Sequence, residues 1–367
     1  MSVTIDITGL ASERISFVPS PLAELGSALH ALSEPDHHPS LHGWVASVTA
    51  SLDSHLTDRM GEADFLWRAT LSDVFMPFGA IPGRRALPGA TLADDLDLLD
   101  RLTDEQFVDA ALEFGWVHYD TRTPDVLEDA AGRQRALELA AARGGPQLRL
   151  AQRLLDDPPA VRAWFRRFLE DCDRAFFADT WARVSGRLTA DARRKRQLLL
   201  HKGPREALTA VSPAVSLDET GTRITVDKMT SGQIRTGDGG LVLIPTSVGW
   251  PHLMVLFRYG WQASITYSVS APGPAAPTSV EELTRRMSAL AHPARMLLCR
   301  HLARAACTTG ELADAYAMTA PEISRHLSVL KRAGLVTTRR RGRYVQHQLN
   351  LDAVARLGRD FIEGVLR

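Results

Sequence analysis

Two short helices with clear start signals lie between residues 308 and 333, and they restrict how the C-terminal region can fold. Thr308-Thr-Gly-Glu311 has the spacing of a capping box, in which the first and fourth side chains bond each other's backbone N–H groups. Thr319-Ala-Pro-Glu322 repeats this spacing, and Pro321 suits the first turn of a helix because its missing N–H would have no partner there. These signals predict one helix that ends near Tyr316 and a second that begins after Thr319.

The second helix has one apolar face and one polar face. Ile323, Leu327 and Leu330 are spaced by four and three residues, which places them on the same side. A helix that enters the major groove of DNA needs small and polar residues on its other side. Arg325 can donate two hydrogen bonds to a guanine edge, and Ser324 can bond a base or a phosphate. The predicted DNA contacts on this helix are Thr319, Ala320, Pro321, Ser324, Arg325, His326 and Ser328.

An arginine-rich hairpin follows the second helix. Gly334 ends the helix, and the strands 336–340 and 344–349 are predicted to pair across residues 341 and 342. Four arginines within five residues repel one another, so the tip needs an anionic partner such as the phosphate backbone. The predicted contacts here are Arg339, Arg340, Arg341, Arg343 and Tyr344. Helix, turn, helix and hairpin together indicate a winged helix-turn-helix that binds double-stranded DNA.

The charge of the chain is divided unevenly, although its formal net charge is zero. Residues 281–367 hold 15 Lys or Arg and 8 Asp or Glu, a net charge of +7. Residues 1–280 hold 28 and 35 respectively, a net charge of −7. The basic C-terminal region is therefore suited to nucleic acid, whereas the acidic remainder is not.

Apolar stripes mark the helices on either side of the predicted module. Side chains at these spacings either pack within one chain or form the seam of a dimer, and the sequence leaves both interpretations open. The stripe residues, which we predict to form a dimer seam, are Leu283, Met287, Leu290, Val354, Phe361 and Val365.

Several short motifs are shared with a known family of regulators. They are Leu290-Ala-His-Pro-Ala-Arg-Met296, Glu311-Leu-Ala313, Ile323-Ser-Arg-His-Leu327, Leu330-Lys-Arg-Ala-Gly-Leu-Val336 and Gly342-Arg-Tyr344. Through them, residues 283–349 resemble the ArsR/SmtB family of bacterial winged-helix repressors. The resemblance implies a homodimer with its outer helices at the seam. It also implies a palindromic operator and repression that a signal relieves.

The metal ligands of that family are missing from this chain. Its metal-sensing members carry a Cys-x-Cys-type pair at the start of the third helix, or His and carboxylate ligands on the last one. Here Cys307 is followed by Thr308 and Thr309, and residues 351–367 contain no histidine. We therefore predict no cofactor and no metal, and we expect a non-metal small molecule as the signal. Cys307 is either a redox sensor or a packed residue near the start of the helix.

The rest of the chain is predicted to be mainly helical. Residues 1–18 alternate loosely and suggest a short strand, and segments between residues 222 and 270 are rich in β-branched and aromatic residues. Residues 271–279 (APGPAAPTS) have the composition of a linker. The predicted fold is mainly α with small antiparallel β. Residues 1–270 are predicted to form a sensor or effector domain, which is helical with a small sheet at 222–270. The linker 271–279 joins it to a winged-helix DNA-binding and dimerisation domain over residues 280–367.

Aromatic side chains are concentrated in the predicted N-terminal helices. Such a stripe is usually core, but a helical domain this aromatic can also line an apolar cavity for a small molecule. The candidate ligand-binding residues are Phe65, Trp67, Phe75, Trp116, Trp164, Phe168 and Phe176.

A second candidate site is the loop DHHPSLH, which contains His37, His38 and His42. His38 and His42 are four residues apart, a spacing that suits a metal ion when both lie on one helix. Pro39 lies between them, however, and a histidine-rich loop needs no metal. The sequence therefore does not establish a metal site here.

Other features narrow the class of protein. Three scattered cysteines do not form a disulfide framework and favour a cytoplasmic protein. No apolar run reaches the roughly 18 residues of a membrane span. The first residues carry Asp6 and Glu13 instead of a basic start and an apolar core, so no secretory signal is expected.

We predict a cytoplasmic transcriptional regulator, a repressor, that is not an enzyme. The sequence has no Gly-x-Ser-x-Gly motif, phosphate loop, dinucleotide fingerprint or zinc pattern. Two alternatives remain open: residues 1–270 are a protein-interaction or dimerisation module without a ligand, or the chain is an enzyme with a DNA-binding tail. The N-terminal region is similar to an uncharacterised domain fused ahead of such modules in actinobacterial regulators, and this similarity implies no chemistry.

Overall fold

The chain forms two compact units in the computed structural model, residues 1–274 and residues 275–366. The structure describes residues 2–366 except 69–70, 82–85, 113–125, 229–230, 237–238, 257, 259, 270–277, 304–305 and 342–343. Most of the predicted linker 271–279 therefore lies outside the described residues. None of the described helices is long and apolar enough to cross a membrane.

The first unit contains ten α-helices among its described residues. Several begin at side-chain caps: Ser20 accepts a hydrogen bond from the backbone N–H of Ala23, and Thr103 forms a capping box with Gln106. The helices are α1 (Pro21–Ser33), α2 (His42–Ser51), α3 (Ser54–Ala63), α4 (Leu92–Asp100), α5 (Asp104–Ala111), α6 (Ala130–Arg143), α7 (Gly145–Asp156), α8 (Pro158–Cys172), α9 (Ala178–Lys202) and α10 (Pro204–Thr209). A π-helical turn, Asp173–Phe177, joins α8 to α9.

Two four-stranded sheets complete this unit. The strands are β1 (Ser2–Asp6), β2 (Ile15–Phe17), β3 (Val215–Leu217), β4 (Arg223–Asp227), β5 (Gly232–Arg235), β6 (Leu241–Thr246), β7 (Met254–Leu256) and β8 (Ala263–Ser268). One sheet has the order β3-β4-β1-β5 and the other β2-β6-β8-β7. The mainly α class with small sheets is confirmed.

The prediction of one small antiparallel sheet at 222–270 is wrong in its pairing. β1 runs parallel to β5, and β6 runs parallel to both β2 and β8. Each sheet also takes a strand from the first 17 residues, so its partners are more than 200 residues apart in sequence. Strand periodicity reports which residues share a face, and it carries no information about such distant partners.

Strand β6 shows why the second sheet forms. Val242 and Ile244 belong to the apolar cluster built by the helices, whereas Leu241 and Leu243 belong to the cluster around the first sheet. Every residue of β6 is buried. A strand that is covered on both faces reads as a continuous apolar run, which is typical of parallel pairing.

A buried polar group links α9 to β8. The Asp191 carboxylate accepts hydrogen bonds from the Lys195 ammonium at 2.6 Å and from the Tyr267 hydroxyl at 2.9 Å. The Lys195 ammonium also lies 4.5 Å from the centroid of the Tyr267 ring. Lys195 is only 4% exposed, so Asp191 supplies the negative charge that this buried cation needs.

The second unit has the element order of a winged helix-turn-helix. Its elements are α11 (Val280–Leu290), α12 (Pro293–Leu302), β9 (Cys307–Thr308), α13 (Thr309–Tyr316), α14 (Ala320–Arg332), β10 (Val336–Arg341), β11 (Tyr344–Leu349), α15 (Leu351–Ala355) and α16 (Leu357–Leu366). The strands form an antiparallel sheet in the order β10-β11-β9. Leu298, Leu302 and Leu312 lie at the centre of the core. The predicted C-terminal fold is confirmed.

We expect Asp191→Ala to lower the free energy of unfolding of the first unit by about 3–5 kcal/mol, because Lys195 would remain buried without its counter-ion. Arg193→Ala, at an exposed position of the same helix, should change it by no more than about 0.5 kcal/mol. All seven tryptophans lie in residues 44–261, so urea denaturation followed by their fluorescence reports on this unit alone. An equal loss of unfolding free energy in the two variants would show that Asp191 is not the required counter-ion of Lys195.

Candidate nucleic-acid interface

The turn between α13 and α14 sets the direction of the second helix. The α13 capping box is present, with the Thr308 N–H donating to the Glu311 carboxylate at 2.6 Å. Ala317 ends α13 in the left-handed region, with φ of 50°, a conformation that a residue with a Cβ seldom adopts. Met318 and Thr319 follow, and the extended backbone of Thr319 leads into α14.

The predicted second capping box does not form. Thr319 occupies the N-cap position of α14, but its hydroxyl makes no capping hydrogen bond with a described residue. The side chain is exposed instead. Its hydroxyl therefore faces solvent, where it can bond a phosphate. The first turn adds little to this, because Pro321 has no N–H and the N–H of Glu322 donates to the Thr319 carbonyl at 3.0 Å.

The two faces of α14 are separated as predicted. Ile323, Leu327 and Leu330 are buried in the core of the second unit. Ser324 and Arg325 are exposed. The other predicted contacts that are exposed are Thr319, Ala320, Pro321 and Ser328. The helix thus presents a polar surface from its first turn to its middle.

His326 differs from the other predicted contacts on α14 because it is only partly exposed. Its ring centroid lies 4.9 Å from that of His292, the N-cap residue of α12. Burial and the neighbouring His292 lower the pKa of His326. Its ring therefore packs against α12, and it is less available to DNA than Arg325.

The hairpin β10–β11 is the wing. Arg339 pairs with Gln346 and Arg340 with Val345 in the strand register, and both arginines are exposed. The backbones of Arg341 and Tyr344 pair at the end of the hairpin, and their side chains lie outside the described structure, as does all of Arg343. The roles of these last three residues stay predictions.

The exposed surface of α14 and the wing is basic. Arg325 and Arg339 make no ion pair with any residue that the structure describes, so both charges are available to a partner. Lys331 and Arg332, at the C-terminal end of α14, are also exposed. Neither residue was among the predicted DNA contacts, although both stand within the Leu330–Val336 motif.

The outer helices divide the predicted seam residues into two groups. Leu283 is buried within the unit, where its Cδ2 lies 3.0 Å from the position that a Cβ on Gly364 would occupy. Leu290 and Val354 pack against the core of the unit. The remaining three are large and exposed: Met287 at 43%, Phe361 at 45% and Val365 at 45%.

A buried ion pair fixes the outer helices to each other. The Arg286 guanidinium on α11 donates to the Asp360 carboxylate on α16 at 2.9 Å, and both residues are buried. Thr278 donates its hydroxyl to the same carboxylate at 2.6 Å. Glu282, one turn before Arg286, accepts a second guanidinium hydrogen bond at 2.5 Å.

The predicted ligand-binding aromatic residues pack as core. Trp67, Phe75 and Phe168 are fully buried, and the ring of Trp67 stacks on that of Phe168 at 5.6 Å. A void of about 10 Å³ lies beside Phe65 and Trp164, which is about the space of one water molecule. This packing favours the core alternative, because a larger ligand would require these side chains to move. Phe176 is buried in the same cluster, and Trp116 lies outside the described residues.

A helix-turn-helix with an exposed polar second helix, followed by a basic hairpin, defines a winged-helix DNA-binding module. Residues 290–339 match the model of a helix-turn-helix domain, and residues 1–273 match the Family of unknown function (DUF5937). The chain thus belongs to the Family of unknown function (DUF5937), with a C-terminal module of the ArsR/SmtB family of helix-turn-helix transcriptional repressors.

Similar proteins cover the C-terminal module. The Biofilm growth-associated repressor of Agrobacterium fabrum is 37% identical over 86 residues, which are 23% of this chain and 74% of that protein. The HTH-type transcriptional repressor SmtB of Mycobacterium tuberculosis is 35% identical over 99 residues, 25% of this chain and 73% of that protein.

Solved structures match the same region. An ArsR-like transcriptional regulator from Rhodococcus sp. RHA1 has 25% identity and a TM-score of 0.21, over 22% of this chain and 74% of that one. The homodimeric winged helix-turn-helix DNA-binding domain of a possible ArsR-family regulator from Mycobacterium bovis has 31% identity and a TM-score of 0.21, over 21% and 72% of the two chains.

Arg286→Met should increase local opening of α11 and α16, because the Asp360 carboxylate loses its cation while it stays buried. We expect the free energy of opening to fall by about 3–5 kcal/mol. Arg285→Met is the matched control, since Arg285 pairs with Glu281 on the exposed side of the same helix, and it should cost no more than about 1 kcal/mol. Hydrogen exchange of the α11 and α16 peptides in the full chain measures the free energy of opening in both variants. Equal protection in the two variants would show that the buried pair does not hold α11 against α16.

Proposed function

We propose that this regulator is a homodimeric repressor that reads a palindromic operator, with DNA binding controlled by a small molecule at the N-terminal unit. The observation that carries the DNA-reading part is the polar surface of α14 beside the basic wing. In this arrangement α14 enters the major groove and the wing contacts phosphates. Relatives that are themselves named as repressors support a regulator rather than an enzyme.

The exposed side chains of α14 recognise the DNA sequence. Arg325 is the residue with the geometry to bond a guanine edge through two hydrogen bonds. Ser324 and Ser328 are short enough to let the helix approach the base edges closely. Arg339 and Arg340 lie on the wing, where a phosphate contact contributes affinity without sequence preference.

Arg325→Ala should weaken binding to the operator by about 1–3 kcal/mol and leave binding to unrelated DNA nearly unchanged. Arg339→Ala should weaken both kinds of DNA alike and reduce the slope of log K against log salt by about 1. Fluorescence anisotropy with the chain's own upstream DNA and with a scrambled duplex measures these effects. The proposal fails if Arg325→Ala weakens both duplexes equally.

The dimer is proposed from the exposed apolar side chains of the outer helices. Met287 on α11 and Phe361 and Val365 on α16 belong to helices that pack on each other, and Val280 is exposed nearby at 39%. Large apolar groups grouped on one surface usually mark an interface. A two-fold dimer would present two α14 helices to half-sites about 34 Å apart, or a multiple of that distance.

Phe361→Glu should convert the dimer to a monomer, because it places a charge on the apolar seam. Leu200→Glu is the control, since Leu200 is a large apolar residue of the N-terminal unit that is 69% exposed. Sedimentation velocity at micromolar concentrations distinguishes the two species. A dimer that persists in Phe361→Glu, or dissociates in Leu200→Glu, would show that the seam lies elsewhere.

The N-terminal unit is the part of the chain to which we assign control of DNA binding. Its net charge of −7 makes it unsuited to DNA, so its contribution is expected to be regulatory. The filled aromatic core argues against Phe65, Trp67, Phe75, Trp164, Phe168 and Phe176 as the walls of a ready-made effector pocket. A protein-interaction role for this unit makes a different prediction, because operator affinity would then respond to a partner protein and not to a small molecule.

A further inference from the structure

Four histidines of the N-terminal unit form one cluster. His30 lies near the end of α1, His37 and His38 lie in the turn after it, and His252 lies between β6 and β7. Their ring centroids are 4.7–6.5 Å apart. His42, which the sequence spacing made a possible partner of His38, is not among them: it is exposed, and its Nε2 bonds the Pro35 carbonyl at 3.1 Å.

The nitrogen atoms of this cluster are spaced like metal ligands. One nitrogen each from His30, His37 and His252 lies within 4.8 Å of the other two. The Nε2 atoms of His30 and His252 are 3.0 Å apart. In a tetrahedral zinc site with Zn–N distances of about 2.0–2.1 Å, neighbouring nitrogens are roughly 3.3 Å apart. To bind the ion, the two Nε2 atoms would move apart by about 0.3 Å, and the His37 nitrogen would come to the same distance from both.

The backbone orients two of the rings. His30 Nδ1 lies 2.7 Å from the Trp67 carbonyl, and His38 Nδ1 lies 2.5 Å from the Trp250 carbonyl. A carbonyl only accepts, so each Nδ1 carries the hydrogen and each Nε2 keeps its lone pair. Metal-binding histidines are usually held in this way, with the second ring nitrogen donating to a carbonyl or a carboxylate.

Two nitrogen atoms of the cluster are buried without a partner among the described residues: His37 Nδ1 and His38 Nε2. His38 is completely buried, and burial lowers its pKa to about 4. A buried polar atom without a hydrogen bond is costly and is often explained by an ion or a water molecule. A metal ion bound through His37 Nδ1 would account for the first of these atoms, whereas the hydrogen bond between His30 and His252 accounts for neither. His38 lies outside the set of three histidines whose nitrogen atoms are within 4.8 Å of one another.

We propose that His30, His37 and His252 bind a divalent transition-metal ion of the Zn²⁺ type, with a water molecule as the fourth ligand. Imidazole nitrogens without carboxylates suit zinc, copper or nickel and do not suit calcium or magnesium. In the metal-free chain a proton bridges His30 and His252, and the ion takes its place. The site lies entirely in the N-terminal unit, so the proposal holds whether or not this chain represses transcription.

The test uses the full chain without a histidine tag. Zn²⁺ is titrated in competition with a chromophoric chelator, for the wild type and for His37→Gln, His252→Gln and the matched control His42→Gln. We expect the wild type to bind one Zn²⁺ per chain. His37→Gln and His252→Gln should each lower the Zn²⁺ affinity by at least about 100-fold, because losing even a residue that only hydrogen-bonds to a metal ligand lowers metal affinity by about 10–100-fold. His42→Gln should bind as the wild type does.

Far-UV circular dichroism of each variant separates lost ligands from lost fold. His37 is half-buried, so we expect His37→Gln to keep its fold. It therefore still tests the site if His252→Gln unfolds. Co²⁺ should give d–d absorption without a thiolate charge-transfer band, which distinguishes this site from Cys172, Cys299 and Cys307. The proposal is overturned if the wild type takes up no Zn²⁺ at micromolar concentrations, if His42→Gln loses as much affinity as His37→Gln, or if the thiolate band appears.

Discussion

The proposed DNA interface depends on the burial of one face of α14. Ile323, Leu327 and Leu330 are inserted among Leu298, Leu302 and Leu312 in the core of the second unit. Side chains three and four residues apart share one side of a helix. Because this side is buried, the opposite face of α14 points outward. Arg325 is exposed for this reason and not because of any contact of its own. The wing follows α14 directly in the chain. The proposed base-reading residue Arg325 and the proposed phosphate-binding residues Arg339 and Arg340 therefore belong to consecutive elements.

The buried pair of Arg286 and Asp360 plays a comparable part in the outer helices. It ties α11 to α16, and the two helices together carry the exposed apolar residues Met287, Phe361 and Val365. A charged pair in a dry environment contributes little net stability. We infer that its role here is to restrict α11 and α16 to one arrangement. Dimerisation through this surface would thus inherit a fixed geometry, which a palindromic operator requires.

Local signals in the sequence were sufficient for the C-terminal module and insufficient for the N-terminal unit. The α13 capping box and the spacing of Ile323, Leu327 and Leu330 involve residues within one or two helical turns, and the structure has both. The parallel partner of β1 and the contact between His30 and His252 join residues more than 200 positions apart. No periodicity reports such pairs, so the antiparallel sheet was wrong, and the sequence offered His38 only its neighbour His42 as a possible partner. The aromatic stripe likewise left both a filled core and a cavity open around Trp67 and Phe168, because spacing along one helix does not report how tightly its neighbours pack against it.

Methylation interference on the chain's own upstream DNA shows whether two copies of α14 read DNA from a two-fold dimer. Methyl groups at guanine N7 block a bidentate arginine in the major groove. We expect two symmetric groups of interfering guanines, about one helical turn or a whole multiple of it apart. A single group, or interference scattered without symmetry, would contradict it.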